Sequence, residues 1–423
     1  MNVTITPTQT ISNQIAAPPS KAQTHRALFA GLLSSGETVI QNPLSCDDTK
    51  ATSHSITSLG ATLELGNERW VVKGGGRPKI PLHAIDCGES GVTMRFTIPI
   101  AALAGSETHL TCKESLARRP HQPLIECMRQ LGVDVTQDGN VITIRGGPPK
   151  GGRTQMRGDV SSQFISGLLL ASPFMEDGLE LKLTSQLESR RYVLLTIGAM
   201  RRHGILVGYD DQMSFLTVGV GQTYEPAEHL ISGDYSSAAF PIAAAAITSS
   251  KLLVRGLSQD DAEPDSVLTR ILFQMGIETH HSGDGLLIGA GRLKAAQVDI
   301  SDCPDLGPAI AVLGCYAEGE TEILGAGRLR YKESDRLGAI ASELGTLGGK
   351  IKSNGDRLLV RGPFFLSGGI VDSHGDHRIA MALSVAAIHA RSDVTITNAE
   401  CVAKSYPNFF DDLRYLGVKV VEQ

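Results

Sequence analysis

The feature that most restricts how this chain can fold is a period. A short motif, an apolar or His residue, then Gly, then a small or β-branched residue, recurs along the whole sequence: Leu59-Gly60-Ala61, Leu131-Gly132-Val133, His203-Gly204-Ile205, Met275-Gly276-Ile277, Leu347-Gly348-Gly349 and Leu416-Gly417-Val418. The glycines at 60, 132, 204, 276 and 348 stand 72 residues apart, and the last step, to Gly417, is 69. Behind each of the first five, a polar turn leads to a second alternating strand, over 69–73, 141–145, 214–218, 285–289 and 357–361. Ahead of each motif lies an apolar helical stretch with a polar opening. These open at Thr24-His25-Arg26, Thr93-Met94-Arg95, Ser161-Ser162-Gln163, Tyr235-Ser236-Ser237, Asp305-Leu306-Gly307 and Asp376-His377-Arg378. Each unit therefore reads helix, strand, helix, glycine turn, strand, strand. Solenoid repeats are mostly shorter, at roughly 20–50 residues. A unit of this length can pack a helix pair on its own small sheet. Three such units make one globular domain, so six make two, the number expected for 423 residues. The fold class is α/β, with two domains each built from three βαβαββ-type units around buried helices.

The five apolar stretches over 27–33, 164–170, 240–247, 309–313 and 379–387 are apolar on every face, which places those helices inside. Their N-terminal ends carry unpaired N–H groups and a partial positive charge that favours an anion by about 0.3–1 kcal/mol each. Arg26, Arg95, Ser161, Ser162, Gln163 and Arg378 stand at such ends. An arginine in a first turn opposes the helix dipole, so three of them point to bound anions.

Charge agrees with that. The formal net charge is −6, yet cations gather at Arg118-Arg119, Arg190-Arg191, within 328–336 and at Arg378. Local clusters on an acidic chain suit a small anionic substrate and not a nucleic acid, which attracts a broad basic face. Seven scattered cysteines without a CxxC pair read as buried thiols in a reducing compartment. The first basic side chain is Lys21, so no charged signal-peptide region is expected, and apolar runs such as 240–247 fall short of a membrane span. A cytoplasmic location is the expectation.

Several apparent motifs carry no chemistry. His374 and His377 stand three residues apart without a third His or Cys nearby, which suits a cap or substrate-side histidine better than a metal pair. Gly219-Val220-Gly221 lacks the rest of a dinucleotide fingerprint. The stretch 345–350 is one residue short of a P-loop and lacks its Ser/Thr. No cofactor and no metal are expected.

The remaining motifs meet a family. Pro19-Ser20-Lys21-Ala22-Gln23-Thr24-His25-Arg26 resembles the segment that opens EPSP synthases and their enolpyruvyl transferase relatives, whose two domains are likewise each built from three units. The resemblance continues in order. Gly88-Glu89-Ser90-Gly91-Val92-Thr93-Met94-Arg95 is similar to the family's GNAGTAMR segment, and Arg118-Arg119-Pro120 to its ERP motif. Val160-Ser161-Ser162-Gln163-Phe164 matches its SSQF pocket, and Ser189-Arg190-Arg191-Tyr192 resembles its SKPY. Asp305 follows a Pro as the family's catalytic aspartate does. Lys332-Glu333-Ser334-Asp335-Arg336 and Asp376-His377-Arg378 match KE(S/T)DR and DHR, and Lys404 sits where a late lysine is expected. Ala22, Glu89 and Val92 depart from residues common in the family, which bears on the detail of substrate contacts and not on the reaction.

The resemblance implies an inside-out α/β barrel fold and a transfer of the enolpyruvyl group of phosphoenolpyruvate to shikimate 3-phosphate. It implies shikimate 3-phosphate contacts from Lys21, Arg26, Ser161, Ser162, Gln163, Ser189, Tyr192, Asp305 and Lys332. Contacts to phosphoenolpyruvate fall to Lys21, Gly91, Arg119, Gln163, Arg336, Arg378 and Lys404. Asp305 would be the base, Glu333 the acid, and Lys21 would stabilise charge in the tetrahedral intermediate. It further implies one domain from 19–231, a second from 1–18 with 232–423, an active site in the cleft between them that closes on binding, and a monomer. Two other readings stand beside it. Enolpyruvyl transfer to UDP-N-acetylglucosamine would call for a cysteine where Glu114 stands and has no SSQF pocket; a non-catalytic anion binder would have no use for Asp305 and Glu333.

Overall fold

The computed structural model describes residues 1–11, 14–259 and 263–423. The glycine period is a row of helix stops. Gly60, Gly132, Gly204, Gly276, Gly348 and Gly417 all lie at positive φ, between 84° and 100°. In each, the N–H of the following residue reaches back to a carbonyl five residues earlier: Ala61 to Ile56 at 3.0 Å, Val133 to Met128 at 3.0 Å, Ile205 to Met200 at 3.0 Å, Ile277 to Leu272 at 2.8 Å, Gly349 to Leu344 at 2.8 Å and Val418 to Leu413 at 3.0 Å. This closure satisfies the last helix carbonyls and needs a left-handed residue, which glycine supplies without steric cost.

Six four-stranded sheets follow, all of one pattern. In the first, Glu228–Leu230 runs parallel to Ser35–Gln41, which pairs antiparallel with Arg69–Gly75, which in turn pairs antiparallel with Thr62–Leu65. The sixth sheet shows why the last repeat ends one strand early. Its third place is taken by the N-terminal strand Val3–Thr6, antiparallel to both Val394–Thr397 and Lys419–Glu422, with Val3 opposite Ile396 and Glu422. The strand Gln14–Ala16 likewise lies parallel to Leu252–Arg255.

The chain divides into two compact units, Pro19–Ile231 and the pair Met1–Pro18 with Ser232–Gln423. We call these the middle and the terminal unit. Each has its own apolar core around three buried helices. In the middle unit these are α1 (Lys21–Leu33), α2 (Gly91–Ala102) and α3 (Ser162–Ala171); in the terminal unit α4 (Tyr235–Ile247), α5 (Gly307–Tyr316) and α6 (His377–Ile388). Helix α2 packs on both α1 and α3, while α4, α5 and α6 all touch one another. The central sheet strands cover their outer sides, Arg69–Gly75 on α1 and Arg357–Gly362 on α5 among them.

Candidate active site

The helix starts differ between the units. Ser20, Ser90 and Ser161 cap α1, α2 and α3, each hydroxyl accepting a backbone N–H at 3.3 Å. In the terminal unit the caps are carboxylates: Asp234 accepts the Ser237 N–H at 3.1 Å and Asp376 the Arg378 N–H at 2.9 Å. The remaining helix, α5, is entered through the 3₁₀ turn Pro304–Leu306, which carries Asp305. A serine cap leaves the positive end of the helix for an outside anion, whereas an aspartate cap already answers it.

The middle unit gathers cations and small polar groups at its three serine-capped ends. Gly91 opens α2 at a narrow point: a β-carbon there would lie 3.4 Å from Arg119 Nη1, 3.5 Å from Arg95 Nη1 and 3.5 Å from Gln163 Oε1. Arg95 Nη1 donates to Gln163 Oε1 at 2.8 Å and to Ser161 Oγ at 3.5 Å, and its guanidinium lies over the Phe164 ring. Lys21, in the first turn of α1, donates to Asp48 Oδ2 at 2.8 Å. Arg26 is 2 % exposed and donates to Thr196 Oγ1 at 2.7 Å, the Tyr192 carbonyl at 2.8 Å and the Ala22 carbonyl at 2.9 Å. Thr196 in turn donates to Ser166 of α3 at 2.8 Å, so the helix Arg190–Arg202 is tied to both α1 and α3. Ser189 caps that helix in the left-handed region at φ 55°, a conformation rare outside glycine and characteristic of strained functional positions. Ser162 is buried at the first position of α3.

The terminal unit brings six expected residues into one ionic cluster. Arg336, 1 % exposed, is its centre: Nη1 stands 3.0 Å from Asp305 Oδ1, Nη2 2.6 Å from Glu333 Oε2, and Nε 2.9 Å from Asp376 Oδ2. Lys332 lies 3.2 Å from Asp305 Oδ1, Arg378 3.4 Å from Asp305 Oδ2, and Lys404 3.5 Å from Glu333 Oε1. These residues come from the 3₁₀ turn at 304–306, the segment 332–335 that leads into Arg336–Thr346, the start of that helix, the start of α6 and the 3₁₀ turn Ala399–Lys404. Burial would push the Asp305 carboxyl up, but Arg378, Lys332 and Arg336 outweigh it and hold the group well below the usual carboxylate range. Burial pulls Lys332 down in spite of Asp305 beside it. For Arg336 the order reverses: burial is overcome by Asp376, Glu333 and Asp305, and the charge is locked in place. These contacts join four cations to three carboxylates.

Arg378, which opposes the α6 dipole, stands 3.4 Å from the Asp305 carboxylate. One expectation needs amending. His374 is a turn residue at φ 54°, its Nε2 2.9 Å from Glu343 Oε1. Three participants were not assigned roles from sequence. Asp48 follows Asp47 at the start of Asp47–Ser58 and looks like an ordinary acidic first turn. Asp376 was visible within the Asp-His-Arg motif, and its place before an apolar run marks a cap, but not an ion-pair partner of Arg336. Arg95 stood out at a helix opening with no ligand attached to it. Burial, then Asp86, pushes the Cys112 thiol up to about 11, and its Sγ lies 3.6 Å from the Asn140 carbonyl. Among the described residues, no group of three or more His, Cys, Asp or Glu could hold a metal ion.

The comparisons agree with this geometry. The family model for EPSP synthase (3-phosphoshikimate 1-carboxyvinyltransferase) matches residues 5–413. The chain is 40 % identical over 429 residues to the 3-phosphoshikimate 1-carboxyvinyltransferase of Halobacterium salinarum, covering 99 % of each chain. It is 40 % identical over 422 residues to the enzyme of the same name from Methanocorpusculum labreanum, covering 98 % of each. Among solved structures, the EPSP synthase from Acinetobacter baumannii superposes with a TM-score of 0.82 at 25 % identity, over 100 % of both chains. Family model, full-length identity and fold all meet on one point, and the chain belongs to the EPSP synthase (3-phosphoshikimate 1-carboxyvinyltransferase) family.

Proposed function

We propose that the two clusters share one reaction, the middle unit holding substrate anions and the terminal unit moving protons while its cations help to hold phosphoenolpyruvate. The chain transfers the enolpyruvyl group of phosphoenolpyruvate to the 5-hydroxyl of shikimate 3-phosphate, giving EPSP and phosphate in aromatic amino-acid biosynthesis. The observation that carries this reading is the cluster in which Arg336 joins Asp305, Glu333 and Asp376.

Ser161, Ser162 and Ser189 take the shikimate phosphate at two helix starts with serine in the N-cap position and no cap carboxylate to answer the dipole. Gln163 and Tyr192 meet the ring, and Arg26 pairs with its carboxylate. Gly91 leaves room before Arg119 and Gln163 for phosphoenolpyruvate, and Arg336, Arg378 and Lys404 are its further cationic contacts. Charge-assisted contacts of this kind contribute about 1.5–3 kcal/mol each.

Asp305 takes the proton of the 5-hydroxyl as that oxygen attacks C2 of phosphoenolpyruvate, and Glu333, which enters this step carrying a proton, delivers it to the methylene carbon, giving the tetrahedral intermediate. Loss of phosphate from C2, with return of a methyl proton to Glu333, completes the transfer; the Asp305 proton leaves with phosphate. Lys21 and Lys332 offset the negative charge that builds up between the two substrates. The cations that hold Asp305 ionised also make it a weak base. As the substrate's phosphate and carboxylate draw Arg336 and Arg378 towards themselves, that restraint relaxes and Asp305 becomes more basic where a base is needed.

Since the roles come from both units, one substrate pair must engage both clusters, and closure of the two domains over the cleft belongs to this reading. So do a monomer and a cytoplasmic location. The latter draws support from seven free cysteines, six of them buried. Among the described residues no helix is long and apolar enough to cross a membrane. The test is phosphate release from phosphoenolpyruvate with shikimate 3-phosphate or UDP-N-acetylglucosamine as acceptor. Turnover is expected only with the first, falling at least about 100-fold in Asp305→Ala and Glu333→Gln. Turnover with the sugar nucleotide, or intact rates in both variants, would defeat the assignment. Small-angle scattering of the same samples should show a single-chain mass that contracts when both ligands bind; an unchanged radius speaks against closure.

A further inference from the structure

Behind the ionic cluster lies a buried carboxyl that the reaction as described does not use. Asp265, on the 3₁₀ turn Pro264–Val267, is 1 % exposed and accepts a hydrogen bond from the hydroxyl of Ser236, in the first turn of α4. Ser236 does no capping, since Asp234 accepts the Ser237 N–H in its place. Its hydroxyl is committed to Asp265 and its carbonyl accepts from Arg378 Nη1 at 3.2 Å. The same Nη1 lies 3.4 Å from the Asp305 carbonyl, and Nη2 3.4 Å from Asp305 Oδ2. The guanidinium thus spans the first turns of α4 and α6 and the turn that enters α5. Ser236 links Asp265 to it, by its hydroxyl on one side and its carbonyl on the other.

We propose that Asp265 and Ser236 are positioning residues for Arg378, fixing the α4 carbonyl that aims its guanidinium at phosphoenolpyruvate. The inference rests on the assignment of Arg378 to that substrate.

Two physical points favour it. A buried carboxyl without a task costs stability, and here it is paired with a hydroxyl that has no other visible task. The second point is electrostatic. Burial, then the negative charge of Asp305, raises Asp265 to about 7, with Ser236 and Arg378 opposing and Asp234 adding to the rise. In its neutral form Asp265 anchors Ser236 without competing with Asp305 for the Arg378 charge.

The test is steady-state kinetics on the full chain, with KM measured separately for each substrate. Asp265→Ala and Ser236→Ala should each raise the phosphoenolpyruvate KM about tenfold, leave the shikimate 3-phosphate KM within about twofold, and lower kcat less than about threefold. The double variant should be no worse than either single one, because both remove one linkage. Asp265→Asn keeps a neutral acceptor for Ser236 and should restore the KM to within about threefold of the parent. Arg378→Lys serves as the control on the premise. If it raises the phosphoenolpyruvate KM while Asp265→Ala does not, the positioning role is overturned and the substrate assignment stands. If Arg378→Lys leaves that KM unchanged, the assignment falls and takes this inference with it. A lowered unfolding midpoint in Asp265→Ala with both KM values intact would reveal a purely structural carboxyl, and that too overturns the proposal.

Discussion

At the scale of single residues, Arg336 decides most. Its three nitrogens answer three carboxylates on three different elements, and with 1 % exposure water can replace none of these contacts. Removing one partner of a buried ion cluster costs far more than the cluster contributes, because the remaining charges stay buried. Arg336→Ala leaves the Asp376 side chain, 0 % exposed, facing Glu333 and Asp305, and should lower unfolding free energy by about 3–5 kcal/mol besides abolishing turnover. Arg336→Lys keeps the charge, but a single ammonium cannot serve three carboxylates at once, so an intermediate loss is expected. Urea unfolding of the three proteins reads this directly; parental stability in Arg336→Ala would mean that Lys332, Arg378 and Lys404 alone hold the carboxylates.

At the scale of elements, the helix stops and the helix starts tell different stories. The stops are local chemistry: a glycine, an apolar neighbour and a backbone closure complete within six residues. That is why the period could be read from the chain. Gly132 isolates the effect, since a β-carbon there meets nothing within 4 Å and only its φ of 87° resists substitution. Gly132→Ala should therefore cost about 1–2 kcal/mol, and Gly132→Asn less, as asparagine tolerates the left-handed region. Equal stabilities in thermal unfolding would show that the turn relaxes to another closure. The starts were legible in kind but not in meaning. Apolar runs with polar openings announced six helices, and motif resemblance drew Asp305, Lys332, Glu333, Arg336, Arg378 and Lys404 together across a hundred residues. What the sequence could not disclose is partnership. Asp48 reads like any acidic first turn until Lys21 is seen 2.8 Å away, and Asp265 reads like a surface carboxylate until its turn is found buried against α4. Such pairings depend on sheet and helix packing over tens of residues, and no local pattern encodes them. The contrast between serine caps in one unit and aspartate caps in the other was present in the letters, but it acquires a meaning only once the helices are known to bundle in threes.

At the scale of the whole molecule, the two units share an architecture and differ in how they carry protons, so acid should affect them in opposite directions. The four histidines driven furthest down by burial, His25, His121 and His229 to about 3 and His203 to about 4, all belong to the middle unit. His25 Nε2 and His121 Nδ1 face no hydrogen-bond partner, and the His203 and His229 Nε2 atoms lie 2.8 Å apart, an arrangement that two imidazolium ions could not keep. Below the ordinary value of 6.5 the unfolded chain takes up protons that these folded rings refuse. Stability is therefore present above about 6.5 and is lost as pH falls from there towards 4. For His25 and His121 alone, going from pH 7.5 to 5.5 costs about 2–3 kcal/mol. In the terminal unit Asp265 works the other way. With its value raised from 3.8 to about 7, the folded state keeps a proton that the unfolded chain has released. That stabilisation is greatest near pH 4 and is lost as pH rises to about 7, so the same acidification should strengthen this unit. Trp70, the single tryptophan, is buried in the middle unit and donates to the Gly66 carbonyl, so its fluorescence follows that unit's unfolding in urea. Amide exchange followed peptide by peptide reports α1–α3 and α4–α6 separately. The expected result is a lower Trp70 midpoint at pH 5.5 than at pH 7.5, with faster exchange in α1–α3 and equal or slower exchange in α4–α6. Coincident shifts of the same sign in both helix sets would mean that the units unfold as one cooperative body or that the buried histidines find partners for their protons. A Trp70 midpoint that holds or rises at pH 5.5 would rule out uncharged burial of His25 and His121 as the dominant acid response.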